Sequence, residues 1–480
     1  MKVCILSEEQ LVNPSHSLWG HGGWIDAKER ESLDYFMFFH FMGWEVEIQS
    51  PTRFLNKSKQ AQSPRLLVLC GKWGQYPKEQ QKLFLSWLQH VERCLLVWNE
   101  EAEQVAASIY KSGTLLEFPF SPMHKQAENP AYADQVRKLI CQHLKGPQIH
   151  LDWQGSTVLR MDDPGSSEPF HHNQYLAKKL QEKEWMQLGE ILDQKTARMS
   201  IAYVSAWVDD SAGINHSPLQ SPSEFRGLKH LKDQELLSIA AHGYTHLYPD
   251  LKAWHAATDK HENVNWYREY SKDACRILEK SPAHERPEYK ASALINEYFD
   301  SPPLTFVFPG EVFTELAQMW VLAAGYQLIA SYYLGIRIDN RICWCQQIQS
   351  PYLDEAHADF FKGSWPVVAY FHDFDLINEG IPWLESSLQS WELAGSREFI
   401  DFQELLARLQ LKIEAETKKE ILEIKLQSGK DLLPQLPFRL SIIDRKLDKL
   451  KGLQVSINGK DTDWEWELKD EQAWKIKLNP

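Results

Sequence analysis

Two stretches of this 480-residue chain carry residue types able to activate water. Val158-Leu159-Arg160-Met161-Asp162-Asp163-Pro164-Gly165 reads as an apolar strand ending in adjacent carboxylates. Further on, the apolar run Leu236 to Ala241 leads into His242-Gly243-Tyr244-Thr245-His246, with two imidazoles four positions apart. In an α/β barrel, strand C-termini form the face where catalytic groups gather. Asp163, His242 and His246 would then offer one carboxylate and two imidazoles to a single divalent ion, leaving positions for water and substrate. Zinc is the first choice for this donor set, with cobalt, nickel, manganese and iron also suited. Such an arrangement serves hydrolysis.

Either stretch alone is weak. With 18 histidines in the chain, roughly 0.7 His-x-x-x-His pairs are expected by chance, and paired aspartates often cap helices or end strands. Their order adds weight, because a third strand ends in Tyr370-Phe371-His372-Asp373. Polar groups placed after several apolar runs cost stability, which points to function.

The elements that must position these groups follow from the pattern of apolar runs. Strands are predicted at Thr157 to Met161, Met199 to Ser205, Leu236 to Ala241, Leu304 to Phe308, Gln327 to Ser331 and Val367 to Phe371. Helical patterns at Gln174 to Leu192, Trp266 to Glu279 and Val312 to Ala324 separate most of them. That series suffices for a distorted (β/α) barrel over residues 149–398. Residues 209–228 and part of 281–303, rich in Ser, Pro and Gly, read as rim loops. Residues 1–148 alternate short apolar strands with helices, the pattern of an open parallel-sheet α/β domain of the flavodoxin or Rossmann type. Its first strand precedes Trp19-Gly20-His21-Gly22-Gly23-Trp24, which matches neither GxGxxG nor a P-loop, so no nucleotide is assigned. Residues 146–155 read as a separator. Residues 399–480 read as a charged helix and a small antiparallel β-domain, with a hairpin turn at Asn458-Gly459.

Composition narrows the partners. A net charge of −14 argues against nucleic acid. No apolar run reaches 18 residues, so no membrane span is expected. The N-terminus reads as a buried strand and not a leader, and the seven cysteines as reduced core residues. Together these give a cytoplasmic expectation. The 19 tryptophans include faces suited to sugar rings, though most will be packing.

The set of motifs resembles the polysaccharide deacetylase (NodB-homology, carbohydrate esterase family 4-like) superfamily in a divergent branch, over residues 155–385. The resemblance implies a deacetylase-type barrel that removes acetyl groups from sugars. It makes Asp162 the general base, Asp163, His242 and His246 the metal ligands, and His372 the general acid. Physical reasoning supports the same roles. An ion there would lower the pKa of water, Asp162 would take the water's proton, and Arg160, two residues earlier on the same strand, faces the same way and can pair with Asp162. An amine leaves poorly unless protonated, which gives His372 its task, while Asp373 reads as structural. Arg160, Tyr244 inside the histidine motif, and Pro309 and Glu311 at another strand end are expected to contact substrate. Loop residues His171, His172, Trp207, Asp209, Asp210, Trp254, His255 and His261 are weaker candidates at the same face.

The chain departs from the family in four places. Pro164-Gly165 follows the aspartates, Gly243 replaces Ser or Thr, and Val307-Phe308-Pro309-Gly310-Glu311 lacks the arginine of Arg-x-Pro. No Asp-x-x-Asp-Trp motif is evident. The expected function is therefore metal-dependent removal of an N-acetyl or other acyl group from an acetylated amino sugar or glycoconjugate. The alternative is a catalytically degenerate barrel that binds carbohydrate or serves assembly.

Overall fold

The computed structural model describes residues 1–7, 18–19, 27–57, 64–89, 93–110, 113–122, 131–167, 178–209, 211–252, 267–338, 341–345, 347–429, 432–444, 447–469 and 472–480. It is a mixed α/β structure with two large, mainly parallel sheets.

The first sheet orders its strands Glu45–Gln49, Lys2–Leu6, Leu66–Lys72, Cys94–Trp98, Gly113–Phe118 and Ala106–Tyr110, all parallel but the last. Their near-continuous apolar runs suit a sheet covered on both faces. Alternation along each strand sorts the side chains. Val3, Ile5, Leu66, Val68 and Leu96 join one core with helices Ala27–Phe41 and Tyr132–His143, whereas Cys4, Leu6, Leu67, Leu69 and Leu95 pack on Phe54, Phe84 and Leu88.

The second, nine-stranded sheet positions the candidate site. Leu328–Ala330, Thr305–Val307, Leu237–Ala241, Met199–Tyr203, Ser156–Asp162 and Val367–His372 run parallel, so their C-terminal ends share one edge. Ser156–Asp162 is buried at every residue. Leu334–Ile338 and Arg341–Cys345 add an antiparallel hairpin at one end. At the other end, residues 349–353 run beside Val367–His372, with Val368 N donating to Gln349 O (2.9 Å) and Leu353 N to Tyr370 O (2.8 Å). Among the described residues, no ladder joins the two ends of this sheet.

Four expectations are corrected. Residues 209–228 and 281–303 are not merely loops, since helix Pro222–Asp233 begins in the first and helix Pro287–Phe299 lies within the second. Pro222 and Pro287 open these helices, where a missing N–H costs nothing and the fixed φ is already helical. The charged stretch after Ser396 splits into strand Glu398–Ile400, which pairs with Ser156–Val158, helix Phe402–Leu409 and strand Lys412–Lys418. The C-terminal β-structure is not wholly antiparallel, because Ile421–Gln427 pairs in parallel with Gly452–Ile457. The Asn458-Gly459 turn forms as expected, both residues having positive φ, with Ile457 opposite Lys460. Gln148–Leu151, inside the expected separator, is itself a strand of the second C-terminal sheet, antiparallel to Phe438–Ile443. All seven cysteines are free. Among the described residues, no helix is long and apolar enough to cross a membrane. Of the Trp19–Trp24 loop, Leu18–Trp19 pairs with Phe313–Thr314, and residues 20–24 lie outside the described residues.

His150 on the Gln148–Leu151 strand is 3% exposed, and burial pulls its pKa down to about 4. The folded chain thus keeps His150 neutral where an unfolded histidine, with a pKa of about 6.5, takes up a proton. Its contribution is intact above pH 6.5 and is lost as pH falls towards 4, a destabilisation of roughly 3 kcal/mol. Denaturant titrations of the parent and His150→Gln should therefore show a shallower acid decline in the variant. Parallel declines would refute the assignment.

Candidate metal centre

Strand Ser156–Asp162 ends in a backbone reversal. Asp163 has φ 77° and Gly165 φ 85°, and Ser166 N donates to Asp163 O (3.0 Å). Successive strand residues normally face opposite ways. The left-handed Asp163 breaks that alternation, so that both aspartates act on His242. His246 is also left-handed, at φ 66°. Such conformations cost about 1–3 kcal/mol in non-glycine residues and persist where their surroundings over-determine them, often at functional sites.

The reversals bring Asp163, His242 and His246, each buried, to one point, with ligand atoms within 4.8 Å of one another. Asp163 Oδ1 lies 3.4 Å from His242 Nε2 and 3.5 Å from His246 Nε2. Ligands about 2.0–2.1 Å from a tetrahedral zinc stand about 3.4 Å apart. The His242 Nδ1 lies 3.0 Å from Val307 O, which fixes that nitrogen as the donor and leaves Nε2 as the ligating atom. Burial would raise the Asp163 carboxyl, but the imidazoles of His242, His246 and His372 around it prevail and hold it well below the usual range. Burial pulls His246 down to about 4, keeping it neutral as a ligand must be. Burial opposes charge on His242 too, yet Asp163 and Asp162 raise it. The aspartates thus favour positive charge where a cation would sit, so the residues fit a divalent ion.

Beside this group, Arg160 Nε and Nη2 donate to Asp162 Oδ1 and Oδ2 at 2.7 and 2.5 Å. Arg160 Nη2 also donates to Glu311 Oε1 at 2.5 Å. Arg160 is fully buried and stacks over the Tyr370 ring at 5.4 Å. Arg160 thus joins carboxylates from two separate strand ends. Glu311 reaches it from a left-handed turn position (φ 60°).

His372 stands opposite Asp162 in the parallel ladder. Tyr352 Oη is 3.0 Å from His372 Nδ1 and donates to Asp375 Oδ2. The tyrosine proton goes to the carboxylate, so Nδ1–H donates to the tyrosine and Nε2 remains for proton exchange. Asp375 also accepts the His372 N–H (2.8 Å). Burial and Asp375 push the Tyr352 hydroxyl far up, so it stays protonated. Asp373 turns away to Lys179 Nζ (3.5 Å), and burial raises it to about 6. Tyr352 and Asp375 were not found from sequence. Asp375 carried a weak signal, three residues after His372 on a helix start, and Tyr352 carried none.

Of the other candidates, Pro309 is buried behind Gly243, and the Tyr244 ring lies under Lys290 Nζ at 5.2 Å. Trp207 lies under Lys179 Nζ at 5.9 Å. Asp209 spends one oxygen on its own turn, accepting from Ser211 N and Gly213 N. His171, His172, Asp210, Trp254, His255 and His261 lie outside the described residues.

No family model and no curated protein matches the chain. It is similar to solved structures of family 4 carbohydrate esterases. A putative polysaccharide deacetylase from Mycobacterium smegmatis shares 10% identity over 52% of this chain and 87% of that chain, with a TM-score of 0.32. A family 4 carbohydrate esterase from Bacillus anthracis shares 11% over 52% and 82%, with a TM-score of 0.27. A family 4 pseudoenzyme from Bacillus anthracis shares 10% over 53% and 66%, with a TM-score of 0.30.

Proposed function

We propose that the chain is a metal-dependent hydrolase that removes an N-acetyl group from a sugar or glycoconjugate, on a sheet arranged as a distorted, open (β/α) barrel. The observation that carries this is the convergence of Asp163, His242 and His246 beside an aspartate clamped by arginine. A zinc ion held by these three residues would supply Lewis acidity and lower the pKa of a water.

The remaining work falls to side chains of this chain. Asp162 accepts the proton of the attacking water. Its clamp by Arg160 fixes both oxygens, and Glu311 draws off part of the arginine's charge, which keeps the base from being wholly neutralised. His372, as its imidazolium, gives its Nε2 proton to the departing nitrogen and keeps its Nδ1–H on Tyr352, and the Tyr352–Asp375 pair fixes the ring's orientation. Water adds to the acetyl carbon and the C–N bond breaks, leaving a free amine and acetic acid, which releases water's second proton to solvent to become acetate. One proton passes from water to Asp162 and one from His372 to the amine.

Elemental analysis of protein purified without chelator should find one divalent ion per chain. Asp162→Asn should keep the ion and lose 10²- to 10⁴-fold in acetate release from acetylated amino sugars, whereas His246→Ala should lose both. An ion-free parent that still binds acetylated sugar would instead support the degenerate, carbohydrate-binding alternative.

The acid has its own test. His372→Ala should lose about 10²-fold or more on an N-acetyl substrate, yet little on 4-nitrophenyl acetate, whose leaving group needs no proton. Equal losses on both substrates would remove His372 from that role.

A further inference from the structure

The turn bearing both histidine ligands closes around a carboxylate from elsewhere in the chain. Glu269, 2% exposed, accepts hydrogen bonds from Tyr244 N (2.8 Å), Thr245 N (3.1 Å) and Thr245 Oγ1 (3.1 Å). Thr245 Oγ1 in turn accepts Leu247 N (3.2 Å). Glu269 does not cap the helix that follows it, because Ser271 does so by accepting Ala274 N. The hydrogen bonds identified for its carboxylate therefore all come from the ligand turn. Gly243, at φ 67°, completes the fit, since a Cβ there would meet Glu269 Oε2 at 2.1 Å and Pro309 Cγ at 2.6 Å. The carboxylate occupies the space that a side chain at position 243 would need. Backbone N–H groups converging on a charged oxygen make strong, directional bonds. Here they fix the two residues that precede the left-handed His246.

We propose that Glu269 is the positioning residue of the metal centre. By tying down Tyr244 and Thr245 it holds His242 Nε2 and His246 Nε2 at 3.4 and 3.5 Å from Asp163 Oδ1. The proposal rests on the metal-centre reading above. Loss of Glu269 frees the turn, so the second histidine must be ordered when an ion binds, and affinity falls without loss of any ligand. Partners of this kind are worth about 10–100-fold in metal affinity.

The test titrates zinc into chelator-stripped full-length protein against a competing chromophoric chelator, for the parent and Glu269→Gln. The variant should bind about 10–100-fold more weakly, and its stripped form should exchange the Tyr244 and Thr245 amide hydrogens faster at an unchanged circular dichroism spectrum. Equal affinity in both proteins overturns the role of Glu269 and leaves the metal centre standing. A parent that takes up no ion overturns the metal centre and this proposal with it. Should Glu269→Gln fail to fold, Thr245→Val deletes one donor to the same carboxylate. A several-fold weaker affinity then supports the proposal, and an unchanged one overturns it.

Discussion

A fully buried guanidinium governs the architecture of the site. Arg160 lies mid-strand in Ser156–Asp162, with no exposed surface. Leaving such a charge unpaired costs roughly 3–5 kcal/mol, so the chain must bring carboxylates to it. Asp162 comes from the same strand, and Glu311 comes from a separate strand end through a strained turn. That requirement ties two parts of the sheet edge together. The same strand end then carries Asp163 into the histidine pair, so one charge pairing fixes the position of base and ligand alike.

Negative charge is layered around this point. Asp162 and Glu311 share Arg160 as their cation, Asp163 stands between the two histidines, and Asp375 lies behind Tyr352 at His372. Such crowding favours a further positive charge, and the raised His242 shows the local field acting in that sense. Strain and electrostatics therefore converge on one place, where Asp163, His246 and Glu311 all hold left-handed backbones.

Much of the framework was legible in sequence because buried parallel strands are written as apolar runs, as at Leu237–Ala241 and Cys94–Trp98. Arg160 and Asp162 were paired correctly from a period of two. Helices opening on Pro222 and Pro287 were misread, because proline signals a helix start as readily as a loop. The parallel pairing of Ile421–Gln427 with Gly452–Ile457 was also missed. Local pattern carries strand identity, but not which distant strand lies beside it. Tyr352 and Glu269 stayed invisible for a related reason. Each acts through contacts across the fold, Tyr352 on His372 and Glu269 on a turn more than twenty residues earlier, and neither spacing follows a helix or strand period.

The strand Gln148–Leu151 has a consequence for how the chain is made. It lies against Trp44, whose Nε1 donates to Ile149 O (2.9 Å), and it pairs with Phe438–Ile443. The inner face of the first sheet shares one apolar core with Phe438, Leu440, Ile442 and Ile476. Asp152 and Ser441, hydrogen-bonded at 3.3 Å, are 289 residues apart. At about 5–20 residues per second, a ribosome needs roughly 15–60 s to span that distance. Throughout that interval the core built by the N-terminal sheet with helices Ala27–Phe41 and Tyr132–His143 lacks the part that Phe438–Ile443 contributes. That core is therefore completed only after the C-terminal strands have emerged.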